Sequence, residues 1–355
     1  MLLFTYKYIM KKIIFTGGGT GGHIYPNLAI IDLIKDNYEI AYIGSKNSLE
    51  EKLTKNIVPF YSVTTVKLKR TLSLDNLLIP FKLLKGINEA KRILKKEKPD
   101  LVFSKGGFVS VPVVIAASKL KIPCITHESD LTLGLANKLI KNKCKYVLTS
   151  FESTAKSLKN GVFVGSPIRK NILKASKQDF LKEYKITNSK PNLLIVGGSL
   201  GSKNINNVIF RSVNELCKNY NVFHIVGKGN TNFVKHENYY QIEYATNIET
   251  LYAGADVIIT RGGSNALFEI LTVKKPMIII PLSKQASRGD QILNANYLKG
   301  KNLASVILEE DLNENNLIAT LGGTLKNREI FIYNMSKIKA NGNDNIIDII
   351  KKVTK

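Results

Sequence analysis

The fold class of this chain is decided by the segment at residues 12–23, KIIFTGGGTGGH. Its first five residues are a short apolar run rich in β-branched and aromatic side chains, which predicts a buried β-strand. Glycines follow directly, and a helical pattern begins near residue 27. A glycine loop between a strand and a helix lets the backbone approach a phosphate and points the free N–H groups of the helix N-terminus at it. The segment therefore predicts an α/β domain that carries an anion-binding loop.

The alternation of short β-branched runs with longer amphipathic stretches continues along the chain and starts again near residue 192. Such alternation is typical of a parallel sheet with helices on both faces. The predicted strands are 12–16, 39–43, 101–104, 122–126, 146–149, 192–196, 222–226, 257–260 and 277–281. We therefore expect two doubly wound, Rossmann-like domains that face a cleft, at residues 10–165 and 166–340. A terminal helix in 341–355 is expected to return to the first domain.

The composition narrows the class of protein. The chain has 355 residues, is 44% hydrophobic and 23% charged, and contains three cysteines with no CxxC spacing. These values rule out a disordered or low-complexity chain and argue against a disulfide framework or a structural zinc site. No apolar run reaches the ~18 residues that span a bilayer, and residues 1–9 are too short for a signal sequence. Because Met10 lies just before the first predicted strand, we expect that it can serve as an alternative start. We expect a cytoplasmic protein that at most lies on a membrane.

The chain is strongly basic. Its 52 Lys and Arg residues against 28 Asp and Glu residues give a net charge of +24 at pH 7. Such a charge attracts nucleic acid, an anionic membrane surface or phosphorylated substrates. A lysine excess that follows from base composition, with most lysines on solvated faces, is an equally good explanation.

Two further glycine loops follow predicted strands in the second half. They are VGGSLGS at residues 196–202 and RGGSNALFE at residues 261–269. Neither has the GxxxxGK[ST] spacing of a P-loop. Gly17, Gly19 and Gly22 formally satisfy the dinucleotide pattern GxGxxG, but the second predicted strand ends without the acidic residue that would hold a ribose. Two nucleotide-type domains instead suit a nucleotide-sugar transferase.

Eight short motifs, in order along the chain, together resemble the MurG family. They are GGTGGH at 18–23, KGGF at 105–108, HESD at 127–130, GLAN at 134–137, GSPIR at 165–169, GGSLG at 197–201, RGG at 261–263 and DQ at 290–291. The resemblance covers residues 11–355. It implies a GT-B fold and the transfer of N-acetylglucosamine (GlcNAc) from UDP-GlcNAc to the 4-hydroxyl of N-acetylmuramic acid in lipid I, which gives lipid II for peptidoglycan synthesis. It also implies a peripheral location on the cytoplasmic face of the cell membrane.

The resemblance further implies roles for individual residues. Donor contacts are implied for Arg169 and Ser199 (diphosphate), Ala245 (uracil), Ser264, Glu269 (ribose), and Asp290 with Gln291 (GlcNAc hydroxyls). Acceptor-side contacts are implied for Thr20, Gly21, Gly22 and Asp130. The chain departs from the best-known members at Ser129-Asp130, where they have Gln-Asn, and at Asp290, where they have Gln.

The implied reaction inverts the configuration at C1 of the transferred sugar. It therefore needs one in-line displacement and a base that accepts the proton of the acceptor hydroxyl. His23 is the first candidate, because an imidazole accepts a proton near neutral pH. Binding of the donor diphosphate is an equally good role for His23, and His127 with Glu128 is the alternative base. Helix N-termini and Arg169 can stabilise the departing UDP, so we expect no metal and no cofactor.

A membrane-binding face is predicted on the helix at 74–97. Its apolar residues recur at helical spacing beside lysines 82 and 85. The predicted contacts are Leu77, Phe81, Leu84 and Ile87. A basic amphipathic helix of this kind binds the surface of an anionic membrane, here the inner leaflet. A helix packed on its own sheet has the same pattern.

Two other functions stay open on the sequence alone. A GT-B transferase that glycosylates diacylglycerol would share the architecture, and the identity of the acceptor distinguishes it. A nucleic-acid-binding protein would share the positive charge. Because the aromatic residues do not interleave with the basic runs and no nucleic-acid-binding motif is present, we expect no nucleic-acid partner.

Overall fold

The computed structural model describes residues 10–66, 79–198, 201–284 and 289–355. The chain divides into two compact units. The first unit comprises the residues up to Arg169 together with Gly342–Lys355, and the second unit comprises Lys170–Asn341. Each unit is built on one parallel sheet. The predicted fold class, with two doubly wound parallel-sheet domains, is therefore confirmed.

Seven parallel strands form the sheet of the first unit within the described ranges. They are β1 (Lys12–Thr16), β2 (Glu39–Gly44), β3 (Phe60–Ser62), β4 (Leu101–Ser104), β5 (Cys124–Glu128), β6 (Tyr146–Thr149) and β7 (Gly161–Phe163). Their order across the sheet is β3-β2-β1-β4-β5-β6-β7. The helices that follow them are α1 (Gly21–Ile34), α2 (Leu49–Thr54), α3 (Ile79–Glu97), α4 (Ser110–Lys119), α5 (Leu135–Ile140) and α6 (Glu152–Lys156).

The second unit repeats this order over the part of the chain that the structure describes. Its strands are β8 (Asn192–Val196), β9 (Asn221–Ile225), β10 (Tyr239–Ile242), β11 (Val257–Thr260), β12 (Met277–Ile279) and β13 (Ser305–Val306). They lie in the order β10-β9-β8-β11-β12-β13. The helices are α7 (Lys170–Lys174), α8 (Lys177–Tyr184), α9 (Lys203–Asn219), α10 (Ile248–Gly254), α11 (Ser264–Thr272), α12 (Asp290–Gly300), α13 (Glu314–Lys326) and α14 (Arg328–Ser336).

The first sheet is buried on both faces, and β1 supplies both cores. Ile13 and Phe15 belong to an apolar cluster with residues of α1 and of the terminal helix α15 (Asn343–Thr354). Ile14 belongs to a second cluster with residues of α3 and α4. Successive side chains of a strand point to opposite faces of the sheet, so one strand feeds both clusters. Full burial of each such side chain contributes roughly 1.5–3 kcal/mol.

The terminal helix returns to the first unit, as predicted, and fixes where that unit ends. The amide of Gly342 donates to the carbonyl of Ser166 over 2.8 Å. The side chain of Asn343 accepts from the amide of Ile168 and donates to its carbonyl, both over 2.9 Å. These bonds hold residues 166–168 against the start of α15. The expected boundary after residue 165 is therefore corrected to one after Arg169, which belongs to the first unit rather than the second.

The strands that the sequence does not predict are the four sheet edges, β3, β7, β10 and β13. Most of their residues are only half-buried. An edge strand of a few residues has neither a long apolar run nor a clear alternation, which are the two signals that identify a strand.

Helix α3 turns only part of its predicted membrane face outward. Phe81 is 71% exposed and Leu84 is 55% exposed, whereas Ile87 is 6% exposed. Ile87, Ala90 and Leu94 recur at helical spacing and pack in the core beneath the helix. The prediction that Ile87 lies on the membrane face is therefore wrong, and Leu77 lies outside the described residues. Across the described ranges, no helix combines the length and the apolar character needed to cross a bilayer.

Replacing Asn343 by alanine should destabilise the first unit. The change leaves the buried N–H and C=O of Ile168 without their side-chain partner, which costs about 1–3 kcal/mol. Urea unfolding should show a lower midpoint for Asn343→Ala. Asn345→Ala removes one longer bond, of 3.3 Å to the carbonyl of Val164, and serves as the matched control. Equal midpoints for the two variants would contradict the account of this junction.

Candidate functional site

Two loops of the first unit meet where the sheet order reverses. Strands β1 and β4 are neighbours, but the chain leaves them toward opposite halves of the sheet. Ligands of doubly wound sheets bind at this switch point, beyond the carboxyl ends of the strands. Gly107 has a φ of +77°, and a Cβ there would lie 2.4 Å from the carbonyl oxygen of Gly18. The two loops therefore touch backbone to backbone.

His23 is the third residue of α1 and lies against the second loop. Its Nδ1 is 3.1 Å from the carbonyl oxygen of Lys105. Because a carbonyl only accepts, Nδ1 carries the proton of the neutral ring and the lone pair is at Nε2. Burial, and then the positive charge of Lys105, lowers the pKa of His23 to about 4. The ring is therefore neutral at pH 7, with an acceptor at Nε2 and no second donor.

Lys105 has a buried side chain, and its role is not evident from the sequence. The residue directly follows β4 and is 2% exposed. Its Nζ donates to Oγ of Ser129 over 2.6 Å. Burial lowers the pKa of Lys105 to about 8, against the opposing charges of Glu128 and Asp130. The only sequence signal is a lysine placed between a buried strand and two glycines.

Glu128 organises the loop that follows β5. Its Oε1 accepts from the amide of Asp130 over 3.1 Å. Its Oε2 accepts from the amide of Gly134 and from the side chain of Asn137, both over 2.9 Å. Burial, and then the negative charge of Asp130, raises the pKa of Glu128. The side chain named as a catalytic candidate is thus buried and engaged in holding its own loop.

His127, the partner of Glu128 in the alternative base, is fully buried. Its Nε2 donates to the carbonyl of Gly165 over 2.9 Å, and its Nδ1 has no hydrogen-bond partner among the described residues. Burial and then the charge of Lys105 hold the pKa of His127 well below its ordinary value. The ring of His127 therefore has no exposed surface with which to contact a ligand.

Glu50 is a second residue whose role the sequence does not reveal. It lies in α2 and is 1% exposed. Its carboxylate accepts from the amides of Gly19 and Ser45, each over 3.2 Å. Glu50 therefore joins the glycine loop to the end of β2. No apolar periodicity reveals a charged residue buried for this purpose.

The acceptor-side residues predicted from the sequence lie around the same switch point. Thr20 occupies the N-cap position of α1 without a side-chain capping bond, and Gly21 and Gly22 are the first two residues of the helix. Asp130 is close enough for its charge to act on both His23 and Lys105. The structure thus brings these residues together at the end of the first sheet.

The second unit has the equivalent switch point between β8 and β11. Arg261, which directly follows β11, is buried. Its guanidinium donates to Oγ of Ser202 over 2.5 Å, to Glu309 over 2.6 Å and to the carbonyl of Ile280 over 3.2 Å. Glu309 also accepts from the amide of Ser283 over 3.1 Å. This ion pair joins the loops after β8, β11 and β12.

Gln291 holds the RGG loop from helix α12. Its Oε1 accepts from the amides of Gly262 and Leu282, both over 3.1 Å. The side chain of Asn294 donates to the carbonyl of Gly262 over 3.1 Å. Both the N–H and the C=O of Gly262 are therefore bound by side chains of α12. A Cβ at Gly262 would lie 2.6 Å from the carbonyl oxygen of Gln291. Among the described residues, the amide nitrogen of Gln291 has no hydrogen-bond acceptor and can donate to a ligand.

The other predicted donor residues follow the carboxyl ends of strands in the second sheet. Ala245 is half-buried after β10, and Ser264 and Glu269 are the first and sixth residues of α11, after β11. Asp290 is the first residue of α12. Ser199 lies outside the described residues. No group of three or more His, Cys, Asp or Glu side chains that could hold a metal ion occurs in the described ranges.

Comparisons with known proteins give a match for each of the two units. The model for the glycosyltransferase family 28 N-terminal domain matches residues 13–149, and that for the C-terminal domain matches residues 192–350. A Clostridium perfringens (strain SM101 / Type A) protein is 48% identical over 349 residues, with 96% of this chain and 98% of that protein covered. A Clostridium botulinum (strain Kyoto / Type A2) protein is 46% identical over 354 residues, covering 98% and 100%.

Both relatives are named UDP-N-acetylglucosamine--N-acetylmuramyl-(pentapeptide) pyrophosphoryl-undecaprenol N-acetylglucosamine transferase. Among solved structures, that of Acinetobacter baumannii MurG superposes with a TM-score of 0.75. It is 24% identical and covers 96% of this chain and 99% of its own, which supports the fold.

Gly107→Ala should destabilise the first unit, whereas Gly134→Ala should not. A side chain at Gly107 combines a left-handed φ with a backbone clash, and the strain alone costs about 1–3 kcal/mol. Gly134 has a φ of −62°, and the atom nearest to a Cβ added there would be a carboxylate oxygen 3.7 Å away. That substitution should be neutral or stabilise by about 0.4–1 kcal/mol. Thermal unfolding measures both, and an unchanged Tm for Gly107→Ala would contradict the contact between the loops.

Proposed function

The chain belongs to glycosyltransferase family 28, and from this membership we propose that it transfers GlcNAc from UDP-GlcNAc to the 4-hydroxyl of N-acetylmuramic acid in lipid I, giving lipid II. The observation that carries the proposal is the 46–48% identity, over nearly the whole length, to curated relatives named for this transfer. The match covers 96–98% of this chain and 98–100% of those relatives, so it includes both units. The function is thus that of an inverting hexosyltransferase of peptidoglycan synthesis.

The donor is assigned to the second unit. Gln291 supports this assignment, because its two accepted bonds orient the amide so that its N–H groups are available for sugar hydroxyls. Glu269 is half-buried on α11 and can accept from ribose hydroxyls. The N-terminus of α11 and the loop after β8 supply N–H groups for the diphosphate. Ser199 and Arg169, the latter being the residue at which the first unit ends, stay proposed diphosphate ligands on the strength of the resemblance.

The acceptor and the base are assigned to the first unit. In the proposed step the acceptor oxygen forms a bond to the sugar C1 as the bond from C1 to the UDP oxygen breaks, and the hydroxyl proton passes to Nε2 of His23. Neutral His23 already donates its Nδ1 proton to Lys105, so it has no N–H for a phosphate. This pattern supports a base over a diphosphate ligand.

The proposal is tested by a transfer assay with the full chain. UDP-GlcNAc and lipid I should give lipid II and free UDP, whereas UDP-galactose or diacylglycerol should give little product. Turnover of diacylglycerol in place of lipid I would assign the chain to another GT-B activity. UDP release without a glycosylated lipid in either case would overturn the proposed function.

Gln291→Glu should weaken donor binding without loosening the loop. The new carboxylate can still accept from the amides of Gly262 and Leu282, but it loses both N–H donors and adds a negative charge near the diphosphate. We expect the KM for UDP-GlcNAc to rise about tenfold or more. Gln241→Glu, on β10 of the same unit, is the matched control and should leave KM unchanged. Equal KM values for the two variants would remove Gln291 from the donor site.

His23→Ala should lower kcat by ~10²–10⁴ with little change in the affinity for UDP-GlcNAc, because a lost general base costs about that factor. In the parent enzyme, kcat/KM should fall only as the pH drops through the pKa of His23, about 4, because protonation removes the lone pair. His236→Ala is the control. A large loss of UDP affinity with an unchanged pH profile would make His23 a diphosphate ligand.

We also propose that the first unit binds an anionic membrane surface through α3 and α5. Exposed apolar side chains on α5, Leu135 at 43% and Leu139 at 55%, are spaced one turn apart. Both helices pack against α4. Lysines at 82, 85 and 138 lie beside the apolar residues of α3 and α5. Exposed apolar groups among lysines suit interfacial binding, and the lipid-linked acceptor supplies the reason for it.

The double variant Phe81→Ser/Leu84→Ser should lose binding to vesicles that contain an anionic lipid. It should keep its activity on a short-chain, water-soluble acceptor, because neither residue lies in a core. The control is Ile330→Ser/Tyr333→Ser on α14, where the two side chains are 54% and 60% exposed. Co-sedimentation that is equal for the two double variants would place the membrane-binding face elsewhere.

A further inference from the structure

The buried ammonium group of Lys105 has no part in the reaction as described so far. We infer that Lys105 is a positioning residue that orients the imidazole of His23 and biases its charge state. The inference rests on the proposed function only in so far as His23 is the base. Lys105 is 2% exposed, so it does not touch a substrate itself.

The backbone of Lys105 orients the imidazole. Its amide donates to the carbonyl of Thr16, at the end of β1, over 2.9 Å. Its carbonyl accepts from Nδ1 of His23. A Cβ on Gly17 would lie 3.1 Å from the Cβ of Lys105, so the start of the lysine side chain lies against the glycine loop. One residue of the second loop therefore fixes both the loop and the tautomer of the ring that the loop presents.

The side chain of Lys105 supplies a fixed charge next to that ring. An ammonium group has three N–H donors, and the described residues give this one a single hydrogen bond, to Ser129. The charges of Glu128 and Asp130 oppose the effect of burial on the pKa of Lys105, and the charge of Lys105 in turn lowers the pKa of His23 and His127. The ring of His23 is held to the same residue by the bond of 3.1 Å between its Nδ1 and the Lys105 carbonyl oxygen. Glu50 faces His23 from α2.

The two carboxylates explain why a buried cation is tolerated here, because an unpaired charge in the interior is expensive. A positive charge beside an imidazole disfavours a second proton on the ring. The pKa of both histidines is lowered. In each case burial is the larger cause of the lowered pKa and the charge of Lys105 is the next. Since the pKa of Lys105 is about 8, the charge is present at pH 7 and is lost at higher pH. A methionine would fill the same space without supplying this charge.

The test is a ¹H–¹³C NMR titration of the full chain labelled at histidine, in which the four histidines are few enough to resolve. His23→Ala assigns the resonance. Lys105→Met should raise the pKa of His23 by about one unit or more, and Lys105→Arg should restore most of the shift. Lys119→Met removes an exposed lysine of the same unit and should change nothing. A pKa of His23 in Lys105→Met equal to that in Lys119→Met would overturn the inference.

If Lys105→Met does not fold, the inference can still be tested on the protein without substitutions. Its His23 resonance should show a second inflection near pH 8, where Lys105 loses its proton, and a flat response there would count against the inference. Kinetics separate it from the proposed function. If Lys105→Met raises the pKa of His23 in the NMR titration and moves the acidic limb of kcat/KM to higher pH by the same amount, both the inference and the role of His23 as the base are supported. If the NMR shift occurs while the limb stays in place, Lys105 acts as inferred but His23 is not the base.

Discussion

The close approach of two glycine loops, at Gly18 and Gly107, is the constraint on which the first-unit site depends. It follows from the order of the sheet, because β1 and β4 are neighbours and their loops must pass each other at the switch point. A side chain at Gly107 would separate the loops. Only with the loops in contact does the carbonyl of Lys105 reach the ring of His23. The tautomer and the charge state of that ring are thus consequences of topology.

The second unit uses the same topology with different chemistry. In each unit a buried cation directly follows the fourth strand of the doubly wound order, Lys105 after β4 and Arg261 after β11. Arg261 is paired with Glu309, and three loops converge on that pair. Lys105 has a hydroxyl partner and two nearby carboxylates, which leaves its charge available to act on a neighbouring ring. The two units therefore place a buried cation at the equivalent position but give it different partners.

Much of this architecture can be predicted from the sequence, because buried parallel strands are continuous apolar runs and the glycine loops follow them directly. The central strands, the switch-point loops and the return of the terminal helix are all predicted. The sheet edges are not, because short half-buried strands have no clear period. Ile87 is predicted on the wrong face, since a helical spacing alone does not say which of two neighbouring stripes faces the core. Arg169 is predicted in the wrong unit because the bonds from Asn343 that hold its segment join residues far apart in the chain.

The buried charged residues could not be predicted at all. Glu50 and Lys105 are charged residues, and hydropathy patterns assign charged residues to the surface. Their burial becomes comprehensible only from their partners, the amides of Gly19 and Ser45 for the one and Ser129 with two carboxylates for the other. Gly19 lies 31 residues from Glu50 and Ser129 lies 24 residues from Lys105, so no local pattern contains these two pairs.

The central claim is that the two units divide the substrates, with the donor held by the second. Hydrogen–deuterium exchange with and without UDP-GlcNAc tests it most directly, because bound N–H groups exchange more slowly. We expect protection in peptides that cover residues 261–269 and 289–294, and unchanged exchange at residues 17–23 and 105–107 when no acceptor is present. Protection by UDP-GlcNAc confined to residues 17–23 and 105–107 would contradict it, because the donor would then be bound by the loops assigned to the acceptor.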